Sequence, residues 1–97
     1  MTIESLAVSY INAKFARRAA KAAYLDRRSR FLKDCPIAGF SEYDRLDIEN
    51  KRHKAALAAT APEWEQYQDA VYEEKKARQK LERAVLRVSK RNHSDRM

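Results

Sequence analysis

The chain has 97 residues, with 21 Lys and Arg against 14 Asp and Glu, a net charge of +7. One glycine and two prolines are too few for the tight turns of an all-β fold, and a glycine-rich phosphate loop needs at least two glycines. A single cysteine excludes an internal disulfide and a cysteine-based zinc site. Because neither a secretory signal nor a membrane-spanning run is visible, we expect a protein of the cytoplasm.

The composition favours long, thinly packed helices over a thick globular core. Leu, Ile, Val and Phe together number 18, whereas alanine alone numbers 16. Alanine is the best helix former, and small side chains allow two helices to approach closely. We therefore predict an all-α protein whose isolated stability is modest and which a partner completes.

The first helix is predicted over residues 3–33. Thr2 is a suitable N-cap, and the helix should stop before Cys35, because a residue that precedes a proline avoids the α region. Apolar residues at steps of three and four predict the face that packs on another helix. These residues are Val8, Ile11, Phe15, Ala22, Leu25 and Leu32.

A shorter middle helix is predicted over residues 42–59, with Ser41 and Asp44 as an imperfect capping box at its start. The few apolar residues in this stretch make it the weakest of the three helices. His53, which lies within it, is expected to face water.

The third helix is predicted over residues 61–90, and its start carries the clearest local signal in the chain. Thr60 fits the N-cap, Pro62 fits the first turn, and Glu63 fits the reciprocal position of a capping box. The packing face then follows a heptad-like spacing. It comprises Trp64, Tyr67, Val71, Glu74, Arg78, Leu81, Val85 and Val88.

The first and third helices have similar predicted lengths and should form a long antiparallel hairpin. We predict one helical domain over residues 1–90 and a polar, frayed tail over residues 91–97. The hairpin should bring Glu74 to Arg18 or Lys21 across the helix pair, and the alternative is a solvated surface pair that contributes little energy.

Positive charge is concentrated in two blocks, one on each long helix. In the predicted register these blocks lie together and form one basic flank that attracts an acidic or polyanionic partner. The ordinary alternative is a solvated charged face. The predicted partner-binding residues are Lys14, Arg17, Arg18, Lys21, Arg83, Arg87, Lys90 and Arg91.

Catalytic and metal-binding chemistry find no support in the sequence. The two histidines are forty residues apart, and the acidic residues fit helix surfaces and caps, so we expect no enzyme activity, no metal and no cofactor. The Ala61–Pro62 bond is a possible site for a host prolyl isomerase. A trans proline locked in the first turn of the helix is the favoured alternative.

The full chain resembles the small Abc-type anti-RecBCD accessory proteins of Salmonella lambdoid phages. The resemblance includes the opening Met1-Thr2-Ile3-Glu4-Ser5-Leu6 and the block Ala16-Arg17-Arg18-Ala19-Ala20-Lys21. It implies a non-enzymatic phage protein in the host bacterial cytoplasm. Such a protein binds the RecC subunit of the host RecBCD helicase–nuclease and alters its response to DNA ends in favour of phage recombination.

Two other functions are compatible with the sequence. The basic flank could contact nucleic acid directly, although no helix-turn-helix, zinc-finger or basic-zipper spacing is present. Alternatively, the third helix could pair with its own copy in a homodimeric coiled coil.

Overall fold

The computed structural model describes residues 2–41 and 44–95, with side chains described as far as Arg91. Two long helices, α1 (Ile3–Asp34) and α2 (Lys54–Asp95), form an all-α hairpin, as predicted. A short 3-10 helix, Lys51–His53, leads directly into α2. The described residues contain no strand. The predicted tail is helical as far as α2 extends, and residues 96–97 lie outside the described residues.

Each half of the hairpin is a compact unit. The first unit comprises Met1–Arg18 and Asp69–Met97, and the second unit comprises Ala19–Gln68. Each unit therefore contains part of α1 and part of α2. The second unit also contains the connection between the helices.

Both predicted ends of the first helix are confirmed. The backbone N–H of Ser5 donates to Thr2 Oγ1 at 3.0 Å, so Thr2 caps α1. At the other end, the N–H of Cys35 donates to the Phe31 carbonyl at 2.8 Å, and the helix ends before Pro36. Local chemistry alone thus fixes the limits of α1.

The prediction of a separate middle helix over residues 42–59 is wrong. Residues 44–50 form an irregular connection with a turn at residues 48–49, residues 51–53 form the 3-10 helix, and residues 54–59 belong to α2. Residues 42 and 43 lie outside the described residues. His53 is buried instead of facing water, and its ring meets Phe40 edge to face with centroids 5.1 Å apart.

Short polar side chains close these turns and thereby compete with a helix. The N–H of Ser41 donates to Asp44 Oδ2 at 2.7 Å, so the predicted contact exists but no helix follows it. The N–H of Glu49 donates to Asp47 Oδ1, and the N–H of Arg52 donates to Asn50 Oδ1, both at 2.9 Å. Such bonds satisfy the backbone locally and favour turns.

The third helix begins earlier than predicted, at Lys54 rather than at residue 61. Thr60 is not its N-cap, because the side chain is 2% exposed and the hydroxyl donates to the Ala56 carbonyl at 2.8 Å. Pro62 consequently lies inside α2. A run rich in alanine before Thr60 is a strong helix former and carries the helix through this point.

The face of α1 that packs on α2 also differs from the prediction. In the first unit, Leu6 is buried, and the partly buried residues that follow it at heptad spacing face α2: Tyr10, Ala13 and Arg17. The predicted face points away, since Val8, Ile11 and Phe15 are 53%, 48% and 59% exposed. Both faces repeat every three and four residues, so spacing alone does not distinguish them.

In the second unit, aromatic packing joins the helices. Tyr24 of α1 lies 5.1 Å from Trp64 and 6.4 Å from Tyr67 of α2, measured between ring centroids. Leu25, on the predicted packing face, is exposed. Aromatic pairs at these separations add to the stabilisation from buried area.

The buried core is very small. Among the described residues only Leu6, Ala56, His53 and Thr60 are buried. The accessible surface is 7971 Å², whereas a folded monomer of 11.3 kDa exposes about 5,700 Å². The excess leaves a large apolar and charged area available to partners.

Candidate functional site

A row of exposed cations along α2 is the strongest candidate for an interaction surface. Its members recur at steps of four, three, four and three, which places them on one face of the helix. The row spans about 21 Å at a rise of ~1.5 Å per residue. We call these residues the basic row: Lys76, Lys80, Arg83, Arg87 and Lys90.

Acidic side chains neutralise little of this positive charge. Glu82 is the only acid between residues 75 and 91, and it pairs instead with Arg78, off the row, at 3.7 Å. At the start of the row, Glu73 lies 3.9 Å from Lys76, and both side chains are largely exposed. Exposed pairs of this kind contribute little energy, so the basic row retains its attraction for anions.

The row borders a cleft between the two helices of the first unit. The cleft has a volume of about 210 Å³, and its α2 side is lined by Lys76, Lys80, Glu73 and Ala77. Leu6, Ser9 and Ala13 line the α1 side. The cations are therefore next to one acid and to small polar and apolar groups, an arrangement that suits a surface with both charged and apolar contacts.

The structure does not bring the two predicted basic blocks together. Arg17 lies opposite Glu74, and its Nε donates to Glu74 Oε2, so this predicted binding residue is committed to an internal ion pair. Nine residues, or about 14 Å along α2, separate Glu74 from Arg83, and thirteen, or about 20 Å, separate it from Arg87. The observed pair is within one residue of the predicted Arg18–Glu74 pair, and in this register the two basic blocks lie apart, so their predicted proximity is wrong.

The other predicted residues remain accessible to different degrees. Lys14 is half-buried and Arg18 is exposed, with its guanidinium 6.0 Å from the Phe15 ring centroid. Lys21 is exposed and belongs to the second unit, while Arg91 is exposed next to the end of the basic row. The predicted ion pair of Glu74 does form, but with Arg17 in place of Arg18 or Lys21.

Sequence reasoning missed Lys76 and Lys80 as members of the row. Their signal was present, because the steps that join Arg83, Arg87 and Lys90 extend back through both lysines. The pattern is visible on the face of the helix and not in the net charge of successive blocks along the chain.

Pro62, the predicted isomerase site, is exposed inside α2. Proline lacks a backbone N–H, so the Ala58 carbonyl loses its usual intrahelical donor at this turn. Nearby, Glu63 Oε2 is buried without a hydrogen-bond partner in the described part of the chain. The predicted capping box is absent, and this turn of α2 is locally unsatisfied.

The connection in the second unit forms another groove, of about 670 Å³. Arg28 holds the turns against α1 here, because it donates to the Asp44 carbonyl and lies 5.3 Å from the Phe40 ring centroid. Gly39, with φ of +74°, allows the tight turn that positions Phe40. These contacts explain how a connection without regular structure stays packed.

The described residues contain neither a metal-binding cluster nor a helix that could span a membrane. No group of three or more His, Cys, Asp and Glu side chains is placed to hold a metal ion. Neither helix contains a stretch long and apolar enough to cross a membrane. Comparisons with protein-family models, curated proteins and solved structures give no match to this chain.

Proposed function

We propose that this chain is a non-enzymatic phage protein that binds the host RecBCD helicase–nuclease in the bacterial cytoplasm. The resemblance to Abc-type accessory proteins supplies the target and its RecC subunit. The basic row on α2 supplies a surface for docking. Binding alters how RecBCD responds to DNA ends, so that phage recombination proceeds.

The single observation that carries the binding role is the uninterrupted basic row. Five exposed cations on one helical face form a field that steers an acidic surface into place, because the one acid within their span, Glu82, pairs with Arg78 off the row. Exposed apolar side chains in the same unit, such as Leu86 at 57% and Val85 at 47%, favour a protein over a purely ionic partner.

The test combines binding with activity. Purified chain and RecBCD are mixed, and co-elution on gel filtration is followed together with Chi-dependent DNA cutting. We expect co-elution and altered cutting with the natural chain, and loss of both with Arg83→Glu/Arg87→Glu. The matched control, Lys75→Glu/Arg78→Glu, changes the same charge on α2 off the row and should retain both. Absence of co-elution with unchanged cutting would remove RecBCD as the target.

Direct nucleic-acid binding is the second candidate, because the same row of exposed cations attracts polyanions. If all five cations contact phosphates of duplex DNA, log K should fall with log salt at a slope of about −4.5. Arg83→Glu should weaken binding to every DNA sequence alike. No binding at low salt would exclude this function.

Pro62 remains the proposed contact for a host prolyl isomerase. Because the residue lies within α2, such an enzyme needs this turn of the helix to open before it can engage the Ala61–Pro62 bond. Capture of a host isomerase by the natural chain, but not by Pro62→Ala, would support the contact. Equal capture by both chains would contradict it.

A further inference from the structure

The outward face of α1 in the first unit carries an exposed stripe. Its residues recur at steps of four, three, four and three, so they lie on one face of the helix. This face is turned away from the side that packs on α2. We call these residues the outer stripe: Glu4, Val8, Ile11, Phe15 and Arg18.

The centre of the outer stripe is apolar and half exposed. Val8, Ile11 and Phe15 retain 53%, 48% and 59% of their accessible surface. A helix that has apolar residues on two opposite faces is typically packed against a neighbour on both of them. In the hairpin α2 covers one of the two faces, and the outer stripe is the other.

The ends of the stripe carry opposite charges. Glu4 lies in the first turn of α1, and Arg18 lies four turns later. Neither side chain forms an ion pair with another residue in the described part of the chain. The stripe thus has an acid, three apolar groups and a base, in that order.

This order is complementary to itself when one copy is reversed. A two-fold axis near Ile11 brings Glu4 of each copy to the turn that carries Arg18 of the other, and it stacks the three apolar residues between them. A parallel pair would instead place Glu4 beside Glu4 and Arg18 beside Arg18. Two-fold interfaces use the same patch on both copies, and this stripe meets that condition.

We propose that the outer stripe is the surface through which two copies of this chain pair, with their α1 helices antiparallel. The charge order at the two ends sets the direction of pairing, and the three central side chains supply the apolar contact. The contact is small, so the pairing is expected to be weak and concentration-dependent. It leaves the basic row on α2 free and is independent of the function proposed above.

Sedimentation velocity of the full chain, from about 5 to 500 µM, tests this pairing in the range expected for a small interface. The natural chain should shift from monomer to dimer as concentration rises. Ile11→Asp places a charge at the two-fold axis and should leave a monomer throughout. Far-UV circular dichroism should be unchanged in this variant, because Ile11 does not pack on α2.

A charge exchange makes the test specific for direction. Arg18→Glu alone should weaken pairing at least about tenfold, since acids then face acids at both ends. Adding Glu4→Arg in the same chain should restore pairing, because acid and base have only exchanged places. Lys75→Glu, an equal change of charge on α2, should have no effect.

Three outcomes would overturn the proposal. They are a monomer across the whole concentration range, a dimer that Ile11→Asp leaves intact, and a double exchange that pairs no better than Arg18→Glu. Because RecBCD binding is tested separately with the basic row, either proposal can fail while the other stands.

Discussion

Arg17 and Glu74 form the one ion pair that joins α1 to α2 among the described residues. Their side chains are only 26% and 17% exposed, so both charges lie largely within the helix interface. The other ion pairs join residues three or four apart on a single helix and are well exposed. The Arg17–Glu74 pair therefore marks which turns of the two helices meet in the first unit.

Breaking this pair from one side should destabilise the fold. Glu74→Ala leaves the guanidinium of Arg17 without its partner in a partly buried place, and we expect the free energy of unfolding to fall by about 1–3 kcal/mol. Arg17→Leu/Glu74→Leu removes both charges and should restore most of that loss. Urea unfolding measures both. As a control, Asp26→Ala breaks an exposed pair and should change stability by less than about 0.5 kcal/mol.

Replacing single side chains of α1 by alanine should identify the face that packs on α2. Leu6 is 8% exposed against α2, so Leu6→Ala should cost about 2–3 kcal/mol. Ile11 is 48% exposed, so Ile11→Ala at a few micromolar, where pairing between copies is absent, should cost less than about 1 kcal/mol. Urea unfolding would contradict this assignment if the Ile11 variant were the less stable of the two.

Replacing the proline inside α2 should stabilise the chain. Pro62→Ala gives the helix back a backbone N–H for the Ala58 carbonyl and removes a ring that crowds the preceding turn. We expect a gain of about 1–2 kcal/mol in the free energy of unfolding. Pro36→Ala is the matched control, because Pro36 follows the end of α1 and its replacement restores no helical hydrogen bond. An equal gain from both variants would argue against this explanation.

Replacing Glu63 should also stabilise the chain, for a different physical reason. Its Oε2 is buried and accepts no hydrogen bond within the described part of the chain. A buried polar atom without a partner costs free energy, so Glu63→Leu should stabilise the chain by about 1 kcal/mol. Glu65 is exposed on the same helix, and Glu65→Leu should change stability by less than about 0.5 kcal/mol. A loss on Glu63→Leu would show that the carboxylate has a stabilising partner.

Features set by neighbouring residues were predictable from the sequence. Thr2 caps α1, and Pro36 ends it, because both effects act within one turn of the backbone. Repeated turn formers also precede α2 at intervals of three, at Asp44, Asp47 and Asn50. This pattern indicates consecutive turns, and the prediction of a middle helix did not take it into account.

Features that depend on the other helix were not predictable in the same way. Two faces of α1 carry apolar residues at the same spacing, and the spacing and size of these residues predict that the bulkier face packs on α2. The structure instead packs the face with Leu6, Ala13 and Arg17. Small residues let the two backbones approach closely. This stabilisation depends on both helices, so the spacing within α1 alone does not predict it. The same choice placed Arg17, rather than Arg18, against Glu74.

Only four of the described residues are buried, namely Leu6, His53, Ala56 and Thr60. Such a chain should melt at a modest temperature when alone, and any molecule that binds only its folded form will raise Tm. A ligand at one hundred times its Kd adds about 2.7 kcal/mol, a large share of the stability of a small domain. The thinness of the core thus makes thermal denaturation a direct assay for partners, usable on fractionated host extract before any partner has been purified.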